Sequence, residues 1–151
     1  MSATTTASRA MVGVVAAGTG AGALVVDALL PETARQHMRN PRWPAHAKFH
    51  NAQYIVMSAL LGGVGLRLLS SPNGDPDHNR VIATAIVSVP HVGMFGAAAF
   101  PGTARSDDEF SDSPANTVMG VEVNLLSASI CLAVLGASLA LGRGRRPGRR
   151  R

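Results

Sequence analysis

Residues 117–141 read TVMGVEVNLLSASICLAVLGASLAL, a stretch whose single charge is Glu122. At a rise of 1.5 Å per residue, about 20 predominantly apolar residues in a helix cross a hydrocarbon core of roughly 30 Å. A helix on the surface of a soluble protein keeps a polar face, and this stretch has none. It predicts a membrane-crossing helix. Working back along the chain, three further windows qualify: about Ala10–Leu30, Asn51–Ser70 and Val81–Phe100.

Each window meets a stop signal. Pro31 follows Leu30, Ser-Pro-Asn-Gly-Asp-Pro follows Ser70, Pro101-Gly102 follows Phe100, and a Gly/Arg/Pro tail follows Leu141. The segments therefore read as separate helices. The expected fold is all-α, a four-transmembrane-helix bundle. Its connections are too short for another folded unit, so residues 1–142 form one membrane domain and residues 143–151 a basic cytoplasmic tail. A secretory leader is the rival reading of the N-terminus. The first apolar run is longer than a leader's usual 7 to 15 residues and has only Arg9 before it, so this helix is expected to stay.

Composition agrees: 46% of residues are hydrophobic and only 15% charged, too few charges for an ordinary soluble surface. The charges are also segregated, with six arginines in the last nine residues. Such a tail anchors topology and attracts anionic lipid headgroups, and nucleic acid is a poor alternative partner. With both termini on one side, that side collects Arg9, Arg67, Arg80 and the tail arginines, against Arg35, Arg39, Arg42, Lys48 and Arg105 opposite. The positive-inside rule then places both termini in the cytoplasm, across a bacterial-type plasma membrane. Four of the outer charges crowd one connection. The loop after helix three lies on the same side with Asp107, Asp108, Glu109 and Asp112, so a basic loop capped by an acidic one is expected.

Small residues suggest close helix packing in lipid: Gly13, Gly18, Gly20 and Gly22 in helix one, including a Gly18-x-x-x-Gly22 pair, and Ser127, Ser129, Ala133, Gly136 and Ala140 in helix four. The Gly-Thr-Gly-Ala-Gly run is not a dinucleotide fingerprint, since no strand precedes it. The single cysteine, Cys131, excludes an intramolecular disulfide and reads as a packing residue.

The informative set is polar. Asp27 lies near the end of helix one, His50, Asn51 and Gln53 at the start of helix two, His91 near the middle of helix three, and Glu122 and Asn124 just inside helix four. In an up-down bundle all but His91 fall near the same boundary. Charges at membrane depth are costly and usually mark a site. The expectation is a shared intramembrane polar pocket with Asp27, His50, His91 and Glu122 as catalytic residues. Trp43, His46, Asn51, Gln53 and Asn124 are expected to bind substrate. A histidine and a carboxylate in a low-dielectric pocket can respectively donate and accept a proton, which suits a lipophilic substrate.

Leading into helix two is Trp43-Pro-Ala-His46-Ala-Lys-Phe-His50-Asn51-Ala-Gln53. His46, His50 and Gln53 stand at i, i+4 and i+7 and share a helix face. Two such histidines can ligate a metal, with Glu122 or Asp27 as a carboxylate ligand from another helix. The chain has no series of histidine boxes, however, and the reading adopted requires no metal and no cofactor.

This W-P-x-H-A-K-F-H-N-x-Q run resembles that of a family of small four-helix membrane proteins of bacteria and fungi. The wider arrangement, four helices with intramembrane His, Asp, Glu and Asn, is similar to the emopamil-binding, sterol-isomerase-like membrane fold. That likeness implies a cavity open to lipid in which such residues protonate and shift a double bond. The chain departs from it in having few aromatics to hold a carbocation by cation–π contact: Trp43, Phe49, Tyr54, Phe95, Phe100 and Phe110. The function expected is an acid–base membrane enzyme on an isoprenoid-like substrate, an isomerase or cyclase. The alternative is a non-catalytic transporter subunit or assembly factor. The partners expected are the lipid bilayer and a lipophilic small molecule.

Overall fold

A computed structural model describes residues 3–143; the basic tail from residue 144 onward lies outside them. Among the described residues are five α-helices: α1 (Ala3–Leu24), the short α2 (Pro31–Ala34), α3 (Ala45–Ser70), α4 (Pro76–Ala97) and α5 (Val123–Arg143). A π-helical turn, Val25–Leu29, extends α1. Among the described residues four helical segments are long and apolar enough to cross a membrane: 3–29, 45–70, 76–97 and 123–142. Only 17–28% of each span is buried inside the molecule. Large exposed side chains such as Val14, Leu60, Val92 and Ile130 cover the outside, an apolar belt that suits lipid and not water.

The helices form a ring in the order α1, α3, α4, α5, with α1 also touching α4 across the diagonal. Val12, Val15 and Ala16 of α1, Leu69 of α3, Ala83 and Val87 of α4, and Leu135 of α5 make the core, with Cys131 packed against it. The closest helix approach is at Gly62. A Cβ there would lie 2.5 Å from the Ala16 carbonyl oxygen and 2.5 Å from the Gly20 nitrogen, so α1 and α3 meet backbone to backbone. The expected Gly18–Gly22 pair is not at this contact, because added Cβ atoms at either position meet nothing within 4 Å. In α5, Ser127, Ser129, Ala133, Gly136 and Ala140 likewise face outward, and Ala128, Leu135 and Ser138 face in. A helix that is apolar all round does not reveal its buried stripe by hydrophobicity alone.

Boundaries differ from expectation for local reasons. α1 begins at Ala3, and α3 begins at Ala45 directly after Pro44, six residues early, so the histidine motif lies inside the first turns of the helix. α4 begins at Pro76, where Asp75 accepts a hydrogen bond from the Asp77 backbone N–H at 2.8 Å, an N-cap followed by proline at the first helical position. It ends at Ala97 rather than Phe100. Residues 117–122 are not helical. They form a hairpin of β1 (Thr117–Val118) and β2 (Val121–Glu122). Met119 and Gly120 turn it with φ of 52° and 79°, the signature of a type I′ turn that suits the twist of two-residue hairpins.

The end where α1 starts and α5 finishes, the basal end, is stapled by polar groups. The Ser8 hydroxyl donates to the Ser138 carbonyl at 2.9 Å, and the Ser138 hydroxyl donates to the Ser8 carbonyl at 2.9 Å. Arg9 donates to the Leu69 carbonyl. Arg80, counted from the sequence among the charges on the side of the termini, is 3% exposed. It donates to the Ser138 carbonyl at 3.1 Å and lies 3.6 Å from Asp77. A guanidinium away from water is costly unless it is partnered, and here it ties α4 to α5.

Candidate functional site at the apical end

At the opposite, apical end the long connections meet. The buried Asn40 accepts from the Arg42 backbone N–H at 2.8 Å and donates to Glu109 at 3.1 Å. Arg42 pairs with Glu109 at 2.5 Å, and the Trp43 indole N–H donates to Asp107 at 2.7 Å. The basic segment is thus capped by the acidic loop, as its charges indicate. Asn40 is its keystone, and no sequence signal marked it apart from the Asn-Pro turn it begins.

Beneath this cap is a cleft of two adjoining cavities, about 180 Å³ and about 400 Å³. Arg105, Glu122 and Asn124 line both. His37, Trp43 and Asp107 line the first, beside apolar Val26, Phe110 and Val123. Met94 and Ala97 of α4, with Ala98 just beyond its end, give the second an apolar wall.

The π-helical turn is what presents Asp27. One extra residue per turn rotates the side chain inward at the end of α1, and Asp27 is 8% exposed. Such turns recur at functional sites. His37 Nδ1 lies 3.9 Å from the Asp27 carboxylate and donates to the Thr33 carbonyl at 2.9 Å. With its proton on Nδ1, the neutral ring keeps a lone pair at Nε2. The ring also stands edge-on to Trp43, centroids 5.7 Å apart. Asn51 of α3 lies near the same carboxylate, and its Nδ2 is buried without completing a hydrogen bond.

Glu122 is the residue before α5 and not inside it. Its carboxylate accepts from the Asn124 and Leu125 backbone N–H groups at 3.0 and 2.9 Å, a helix cap set where the helix dipole favours a negative charge. Each carboxylate oxygen can accept further hydrogen bonds. Asn124, in the first turn of α5, lines the cleft beside it.

The four residues expected to share one pocket are therefore divided. Glu122 lines the cleft, and Asp27 lies behind its wall, next to Val26 and His37. His91 is elsewhere: its Nε2 is 3.1 Å from the Thr19 hydroxyl, a contact between α4 and α1 deeper in the bundle. His50 is on the exposed face of α3 with His46 and Gln53. The helical register explains this, since Asn51 turns inward and its chain neighbour His50 must turn outward. Of the expected binding residues, Trp43 and Asn124 line the cleft, Asn51 is at the Asp27 carboxylate, and His46 and Gln53 are outside. Sequence reasoning missed His37 and Arg105, which lie in connections and so outside every apolar window. His37 was findable only as the histidine ten residues beyond Asp27.

A ring of four apolar helices with polar connections gathered over one end defines an integral membrane protein of the helix-bundle class. Within that class, residues 11–151 match the family of unknown function DUF6640, and the chain belongs to that family. No curated protein and no solved structure matches the chain.

Proposed function

We propose that the protein is a membrane enzyme that performs acid–base chemistry on the reactive end of a lipophilic, isoprenoid-like substrate in the apical cleft. The observation that carries this reading is that an imidazole, His37, and a carboxylate, Glu122, line one cleft with apolar walls. In an isomerisation, the His37 imidazolium donates a proton to one alkene carbon. The resulting cation is held by the Trp43 face and by the Glu122 carboxylate, which accepts an allylic proton to leave an alkene with its double bond moved; Glu122 then releases that proton to solvent and His37 takes one up, which restores both groups. The Thr33 carbonyl orients His37, and the Asp27 carboxylate 3.9 Å away balances its positive charge. Trp43 and Phe110 are the two aromatics at hand for the cation. This reading replaces His50 and His91 by His37 as the acid–base histidine and keeps Glu122 and Asp27.

Orientation belongs to the same reading. The positive-inside rule, applied to the arginine count of the sequence, favours both termini in the cytoplasm and so the cleft at the outer leaflet. The test is incubation of the purified protein, in D₂O, with a panel of isoprenoid alkenes and epoxides, followed by mass spectrometry. Solvent deuterium should enter the product with wild-type protein and with His50→Ala, and not with His37→Ala or Glu122→Gln. Absence of exchange with every substrate, or exchange that survives both cleft variants, refutes the proposal. A second reading, a non-catalytic transporter subunit or assembly factor, draws on the outward placement of Phe49 and His50 on α3. It predicts loss of a co-purifying partner on changing those residues, with the cleft variants silent.

A further inference from the structure

The motif that stands out most in the sequence is not used by the cleft. His46 and His50 lie on the exposed face of the first two turns of α3, with their Nε2 atoms 3.1 Å apart and their rings at 82°. Two imidazole nitrogens bound to one tetrahedral metal ion at about 2.0–2.1 Å each are separated by about 3.3 Å, so the side chains already hold a chelating separation.

The tautomer is set as well. Gln53 Oε1 is 3.2 Å from His50 Nδ1, and a carbonyl oxygen can only accept, so the His50 proton is on Nδ1 and its Nε2 lone pair points at His46. In metal sites a ligating imidazole characteristically donates its other N–H to an oxygen in this way. His46 matches it by carrying its proton on Nδ1 when a cation replaces the hydrogen bond between the rings. Phe49, edge-on to His50 with centroids 5.6 Å apart, restricts that ring further.

We propose that His46 and His50 form a bidentate site for a divalent transition-metal ion of the imidazole-preferring kind, Cu²⁺, Ni²⁺ or Zn²⁺. The carboxylate partners that the sequence offered, Asp27 and Glu122, face the interior and the cleft. Among the described residues no third His, Cys, Asp or Glu joins the pair. The remaining coordination positions are open to water or to an external donor. The site faces away from the bundle and stands apart from the cleft, so it is independent of the enzymatic reading.

The probe is CuCl₂ added to the full chain, free of any polyhistidine tag, in detergent micelles. Calorimetry gives the affinity, and electron paramagnetic resonance counts the nitrogen ligands. The expected result is one equivalent bound with a two-nitrogen hyperfine pattern. His46→Ala or His50→Ala should weaken binding by at least about tenfold. Gln53→Ala should weaken it by about tenfold, the lower end of the range for outer-shell partners. His78→Ala should leave it unchanged. All these side chains are exposed, and unchanged far-UV circular dichroism shows that each variant is folded. Undiminished copper affinity in the His46→Ala/His50→Ala double variant overturns the proposal, as does a wild-type protein that binds no copper or shows a single-nitrogen spectrum.

Discussion

Replacing Gly62 by alanine tests the helix packing at its tightest point. The new methyl carbon would sit 2.5 Å from the Ala16 carbonyl oxygen, 2.5 Å from the Gly20 nitrogen and 2.6 Å from the Gly20 Cα. Non-bonded carbon contacts settle near 3.5–4.0 Å, so α1 and α3 must separate by about 1 Å. All three atoms are backbone, and none can swing aside. Overpacking costs about 1–3 kcal/mol, and the upper end applies. Alanine's better helix propensity returns about 1 kcal/mol, which leaves a net loss of about 2 kcal/mol, or about 30-fold in the unfolding constant. The neighbouring Gly63 meets nothing within 4 Å, and Gly63→Ala keeps the propensity gain without the clash. The two variants should therefore differ by about 3 kcal/mol. Unfolding by dodecyl sulfate in mixed micelles, followed by circular dichroism and by the single tryptophan, Trp43, measures both. Equal midpoints for Gly62→Ala and Gly63→Ala would refute the assigned helix contact.

Four further outcomes follow from the polar contacts. Ser8→Ala and Ser138→Ala should each cost about 1 kcal/mol, the net worth of one hydrogen bond, because the Ser138 carbonyl keeps its bond from Arg80 and the Ser8 carbonyl belongs to a helix, and the double variant should cost less than their sum. In the apical cap, a double-mutant cycle on Arg42 and Glu109 should give a coupling below about 1 kcal/mol that fades with added salt, since the Arg42 side chain is 76% exposed. Asn40→Ala should cost more than either, because that fully buried amide joins the two loops. His91→Leu, which removes the contact to Thr19, should lower stability by about 0.6 kcal/mol, the average for hydrogen bonds between membrane helices. It should leave any turnover in the cleft intact, and a large loss of turnover would return His91 to the site.

The histidine motif shows how far the sequence reaches. Its i, i+4, i+7 spacing correctly places His46, His50 and Gln53 on one face, and the hydrogen bonds among them follow. The spacing does not say which face of α3 that is. Asn51, one residue on, looks no different in kind from His50, yet it reaches the Asp27 carboxylate while His50 points outward. Glu122 was legible as a polar residue at the apical boundary. Its role as a cap was not, because the hairpin before α5 depends on a turn at Met119 that a run of apolar residues conceals. His37 had no signal of position, since a histidine in a polar connection is unremarkable until the chain folds back over it.

The sequence by itself determined that the chain carries four segments long and apolar enough to cross a membrane and that its connections carry complementary charge. Hydrocarbon thickness and charge segregation act through chain length and composition alone, and both can be read in one dimension. Only the tertiary structure decided which helix faces turn inward, that Gly62 and not the Gly18–Gly22 pair makes the close contact, and that His37 joins Glu122 at the cleft with Asp27 behind its wall. Inside lipid every face of such a helix is apolar, so rotation about its axis is set by steric fit against its neighbours, a property of pairs of helices that no single segment carries.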